Sequence, residues 1–154
     1  MSRIEARLSE LGLTLPDPSA PVANYIPFTV SGRILYVSGQ IPRKDGKIWP
    51  VGHLGQGVPV EQAKEAAGLC FLAILAHAKT ATGGDLDRVA RVLRLTGYVA
   101  SAPGFGDQPQ VINGASDMAV AVFGEAGRHA RSAVGVAALP GGAAVEVEAI
   151  LELA

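Results

Sequence analysis

Arg131 is the only charged side chain between Ala130 and Leu139, in the run Ala130-Arg131-Ser132-Ala133-Val134-Gly135-Val136. A guanidinium on so apolar a strand needs a partner once it is covered, because an unpaired buried cation is very costly. Leu139-Pro140-Gly141-Gly142 has the residues of a tight turn, and folding back about Pro140 would set Arg131 across from the Glu146–Glu148 region. Two chemistries suit that trio. A cross-strand salt bridge is the ordinary one, worth roughly 0–1 kcal/mol near a surface. The other is a binding site, in which the planar guanidinium fork grips a ligand carboxylate and a glutamate passes protons.

The elements that must hold these residues follow from periodicity. In the second arm Val145, Val147, Ala149 and Leu151 point one way, and Glu146, Glu148, Ile150 and Glu152 the other. The spacing therefore predicts a β-hairpin over residues 127–153. Ile4, Leu8 and Leu11 predict a short amphipathic helix over 3–11, and Leu15-Pro16-Asp17-Pro18-Ser19 is a proline-rich connector. Residues 24–30 and 33–38, split by Ser31-Gly32, form a second hairpin signature. Lys44-Asp45-Gly46-Lys47 reads as an exposed turn, and residues 49–59 as loop. Pro59 can open a long helix over 61–79, apolar nearly all round in its middle turns and so covered on most sides. A strand over 89–99 and a helix over 109–123 complete the order. That order is helix, hairpin, α, β, α, hairpin, which predicts one mixed sheet with two helices packed on one face.

Composition limits the partners. The chain of 154 residues is 49% hydrophobic and 18% charged, with only 5% aromatic residues. A single domain this apolar either covers its core unusually well or buries further surface in an oligomer. A net charge of -1 offers no field for nucleic acid or an anionic membrane surface, and the longest apolar run, 66–76, is too short for a bilayer span. The start carries no apolar signal core and the single Cys70 excludes an internal disulfide, so the expected location is cytoplasmic.

Tyr25 stands thirteen residues before Ser38 in Ser38-Gly39-Gln40-Ile41-Pro42. Asn113 follows in the second helix, then Ala130-Arg131-Ser132, then Leu139-Pro140 ahead of Val145-Glu146-Val147-Glu148. Each motif is common alone; in this order and at these spacings the chain resembles the RidA family, also called YjgF or L-PSP, of reactive-intermediate enamine/imine deaminases. The resemblance covers about residues 20–153, which leaves 1–19 as an N-terminal helix and connector beside a 20–154 domain. It implies a chorismate-mutase-like α+β fold and a homotrimeric barrel with active sites between subunits. It also implies that Arg131 grips the substrate carboxylate, that Glu146 holds and polarises the attacking water, and that Tyr25, Ser38 and Asn113 line the pocket. The best-known members carry a cysteine where this chain has Ala133, and the stretch between Asn113 and Arg131 matches theirs only with a gap. The family pattern thus points to a side branch with an N-terminal extension.

The implied reaction, hydrolysis of a 2-iminoacid to a 2-oxoacid and ammonia, starts from an electrophile and needs no metal or cofactor. It needs a cation for the carboxylate, a placed water and a carboxyl group for protons. Other chemistries have thinner support. His53, His77 and His129 are scattered without zinc spacing and read as ordinary surface or core residues, His129 lying nearest the site. Cys70 reads as a small buried hydrophobe, Trp49 as a lone loop aromatic, and the glycine-rich 52–57 and 141–142 lack a phosphate-loop lysine. A non-catalytic trimer binding a small carboxylate is the alternative expectation. An endoribonuclease-type translation inhibitor ranks below it, for want of a basic groove.

Overall fold

The computed structural model describes residues 1–20 and 23–154. Helix α1 (Arg3–Glu10) opens with a capping box, in which the Ser2 hydroxyl accepts from the Glu5 amide and Glu5 accepts from the Ser2 amide. Its free N–H groups are also met from outside. Asp87 accepts from the amides of Arg3 and Ile4, each at 2.8 Å, and these bonds hold its carboxyl below the usual range. Ile4 and Leu8 are thereby seated in the main core, so α1 belongs to the helix layer together with the two helices expected there.

Strands β1 (Phe28–Ser31) and β2 (Ile34–Gln40) form the first hairpin, reversing at Gly32 with φ +60°. The strand begins later than the residue pattern suggests. Pro27 has no N–H for the ladder, and its carbonyl instead accepts from the Ser38 amide at 2.9 Å. The expected turn at 44–47 joins a two-residue ladder, Arg43–Lys44 with Lys47–Ile48. Helix α2 (Val60–Ala81) starts at Pro59 and lies between the sheet and its neighbours, with Ala63, Ala67, Cys70, Phe71, Ile74 and Leu75 all fully buried. Helix α3 (Gln108–Phe123) packs against it backbone to backbone: a Cβ on Gly114 would stand 1.8 Å from the Lys64 carbonyl oxygen.

The remaining strands of the main sheet are β3 (Val89–Ala100), β4 (Ala130–Val136) and β5 (Val145–Leu153). The sheet order is β1-β2-β5-β3-β4, with β3 and β4 parallel and the other pairs antiparallel. Here the structure corrects the expected 127–153 hairpin: β4 and β5 are not neighbours. The unit β3-α3-β4 is a crossover, which lays β4 parallel to β3 on the outer edge. The segment 137–144 then carries the chain past the end of β3, and β5 inserts between β3 and β2. No helix among the described residues is long and apolar enough to cross a membrane.

Candidate functional site

Placing β3 between β4 and β5 separates the residues from which the reading began. Arg131 is in register with Leu95 and Glu146 with Tyr98. Leu95 is fully buried under the helices, so Arg131 emerges on the helix face. Glu146 and Glu148 occupy the opposite face, because Val145, Val147 and Ala149 supply the buried alternation of β5. Arg131 and Glu146 therefore point to opposite sides of the sheet, with a strand between them, and the expected cross-strand pair does not form.

On the helix face Arg131 is half-buried and held by neutral oxygens. Its Nη1 donates to Asn113 Oδ1 at 2.8 Å and to Ser116 Oγ at 3.1 Å. Among the described residues no carboxylate forms an ion pair with it, and its Nε and Nη2 have no protein acceptor. The guanidinium is thus fixed at one corner, with the rest of its fork available to an anion. Ala133 lies two positions along the same strand on the same face, half-buried against the core. Arg131, Asn113 and Ala133 consequently form one cluster. Ser116 was not singled out from the sequence, although it follows Asn113 by three and so shares its helix face. Behind it, Ser116 Oγ meets His129 Nε2 at 2.9 Å, and His129 Nδ1 meets the Gly127 carbonyl at 2.6 Å.

The open face holds the second cluster. Glu146 is half-buried, and burial, followed by the charge of Glu148, pushes its carboxyl above the ordinary range. Gly39, which with Ser38 forms a bulge in β2, lies directly against it: a Cβ there would stand 2.1 Å from Glu146 Oε1. Only glycine gives the carboxylate this space. Next to it, Ser38 donates its hydroxyl to the Ile26 carbonyl at 3.1 Å and so ties the segment after Tyr25 to the strand. Ser38 borders a cavity of about 270 Å³ on the open face, together with Arg94, Thr96 and Glu148. Tyr25, itself exposed, borders a different and larger one of about 900 Å³ with Gly39, Gln40, Leu15 and His77. Tyr98 donates to Glu148 at 2.9 Å, and Arg94 to Ser132 Oγ at 2.7 Å.

The other candidates sit apart. Cys70 is fully buried on α2, and burial drives its thiol pKa far up. His77 is buried beside Ser19 and Phe28, and burial lowers its pKa. His53 meets the Ala137 carbonyl at 2.6 Å, and Trp49 lies under the Lys44 ammonium.

Comparison with known proteins matches these features to a family. The family described as "YjgF/chorismate mutase-like, putative endoribonuclease" matches residues 5–153. Protein TCP17 of Trypanosoma cruzi is 49% identical over 152 residues, covering 98% of this chain and 94% of the relative. The solved structure of protein Atu1372 from Agrobacterium tumefaciens is 54% identical, covers 98% of this chain and 92% of its own, and superposes with a TM-score of 0.91. RidA from an Antarctic Psychrobacter bacterium is 30% identical over 89% of this chain and 94% of its own, with a TM-score of 0.58. With this match over nearly its whole length, the chain belongs to the YjgF/chorismate mutase-like family, among whose solved members are Rid proteins.

Proposed function

We propose that this chain is a hydrolytic deaminase of reactive enamines and imines, converting 2-iminoacids to 2-oxoacids and ammonia. In this reading it works as a homotrimer with its sites between copies. The observation that carries the reading is the division of Arg131 and Glu146 between opposite faces of one sheet. Each face bears half of what the reaction needs, so a whole site takes Arg131 from one copy and Glu146 from another. Tyr36 and Val134, 45% and 44% exposed on the open face, supply apolar surface for such an assembly.

Arg131 grips the substrate carboxylate and so orients the iminium carbon. Glu146 holds the water and takes one of its protons as the oxygen bonds to that carbon. The resulting carbinolamine receives that proton on nitrogen; as the C–N bond breaks and ammonia leaves, its hydroxyl proton passes to Glu146 and on to solvent, and the carbonyl forms. Burial and Glu148 raise the Glu146 pKa, which makes it a stronger base toward that water than an ordinary carboxylate. Ala133, where the best-known members have cysteine, favours one second reading, a trimer that binds a small carboxylate without turning it over. The test is to generate a 2-iminoacid in situ with an amino-acid oxidase and trap it with semicarbazide. A deaminase lowers the yield of semicarbazone; an unchanged yield with bound 2-oxoacid selects the binding reading.

A further inference from the structure

The hydrogen bonds behind Arg131 run in one direction, and that direction fixes where each proton lies. The Gly127 carbonyl can only accept, so at 2.6 Å the facing His129 Nδ1 carries the hydrogen. In the neutral imidazole Nε2 is then a bare acceptor, and at 2.9 Å it takes the hydroxyl proton of Ser116. Ser116 Oγ in turn accepts from Arg131 Nη1 at 3.1 Å. The chain of donors is Arg131, Ser116, His129, Gly127. While it stands, the Ser116 proton points away from the free side of the guanidinium.

Protonating His129 reverses one link. Nε2–H becomes a donor, Ser116 Oγ accepts from both His129 and Arg131 through its two lone pairs, and its hydroxyl proton is released. The nearest use for that proton is an anion seated on Arg131. We propose that His129 is a proton-coupled positioning residue of the carboxylate site, taking up a proton from solvent as the anion binds and turning the Ser116 hydroxyl toward it. This rests on the reading of Arg131 as the carboxylate grip. The charged groups on the elements around His129 are Arg131 two residues along the chain, Arg128 and Glu125 just before it, Asp117 on α3 and Arg91 on β3. Arg128 pairs with Glu125 at 3.1 Å, Asp117 with Lys64 at 3.8 Å, and Arg91 reaches the Arg128 carbonyl at 3.4 Å. With these acids paired elsewhere, a bound anion is the new negative charge that His129 would meet, and it favours the imidazolium.

The coupling has a definite sign. Binding that takes up a proton is tighter at acid pH and weakens as pH rises. Full uptake of one proton per anion weakens binding about tenfold for each unit by which pH rises, within the range from about pH 5 to 8 where an imidazole changes charge. The experiment is calorimetry of pyruvate binding to the intact protein across that range, in buffers of different ionisation enthalpy. It is run on wild type, His129→Gln, Ser116→Ala, Arg131→Ala and Glu146→Gln, each checked for wild-type assembly and melting. Expected are proton uptake in wild type that persists in Glu146→Gln, disappears in His129→Gln and shrinks in Ser116→Ala. Should His129→Gln not fold, the His129 ring resonance of wild type, followed at fixed pH with and without pyruvate, must show the imidazolium form growing as pyruvate binds. Binding that needs Arg131 but takes up no proton through His129, or uptake lost only in Glu146→Gln, overturns the inference and leaves the deaminase reading standing. Pyruvate binding that is absent, or unchanged in Arg131→Ala, removes both.

Discussion

The Cα of Gly39 lies against the carboxylate of Glu146, so closely that a Cβ would stand 2.1 Å from Oε1. The obstructing atoms are the far end of a flexible side chain, and Gly39→Ala should therefore displace Glu146 rather than the backbone. The expected result is a stability change below about 1 kcal/mol with a clear loss of turnover. Melting curves and imine hydrolysis measured on one preparation check this; a large loss of stability with full activity would contradict it.

Gly114 is the opposite case. The obstacle there is the Lys64 carbonyl oxygen at 1.8 Å, part of a helix backbone that cannot swing aside. Gly114→Ala should push α3 from α2 and lower stability by about 3 kcal/mol, seen as an earlier denaturant midpoint.

For Arg131→Ala the expected loss in kcat/KM is roughly 10²–10⁴-fold, the value of a charge-assisted contact of about 3–5 kcal/mol. Stability should change by only about 1 kcal/mol, since the partners Asn113 and Ser116 are neutral. Arg131→Lys should recover little, because an ammonium cannot reach two oxygens as a fork does. Steady-state kinetics set beside unfolding curves separate the two effects.

Glu146 carries a pH signature. A carboxyl whose folded pKa lies above its unfolded one favours the native state fully while both forms are protonated, and that contribution is lost as pH rises through the folded pKa. At neutral pH Glu146→Gln should accordingly be more stable than wild type, the difference closing below about pH 4. Turnover of this variant should fall while 2-oxoacid binding survives. Melting temperatures recorded across pH give the first half, and kinetics with calorimetry the second.

A site shared between copies also predicts complementation. Arg131→Ala and Glu146→Gln homotrimers should each be inactive, while trimers reassembled from an equal mixture should regain about a quarter of wild-type activity. Sedimentation of wild type should give about three times the 15.8 kDa chain mass. Mixed trimers without activity would mean that each chain completes its own site.

The individual elements were legible because their signals are local. The alternation from Val145 to Leu151, the covered stripe of α2 and the end of α3 at Gly124 are each written within a few residues. What was not legible is which strand lies beside which. Leu139-Pro140-Gly141-Gly142 looks like a hairpin turn, yet it opens a short 3₁₀ turn inside a longer crossing. Nothing within that window reveals that Val89–Ala100 will take the place between its two arms. The same error placed Arg131 opposite the glutamates, whereas its partners come from α3. Asn113 was reached through the family pattern, and His129 already read as the histidine nearest the site; Ser116, which joins the two, becomes visible only once β4 is docked beside β3 under that helix.

The strand of the sheet that comes latest in the chain is its middle. Until Val145–Leu153 leaves the ribosome, β2 and β3 have no common neighbour and present two open ladders of N–H and C=O groups. A nascent chain at that stage holds a hairpin and a β3-α3-β4 unit joined only through α2, with two strand edges open to pairing with another nascent chain. A stop that removes Val145–Leu153 should for that reason yield aggregates rather than a shortened, working protein.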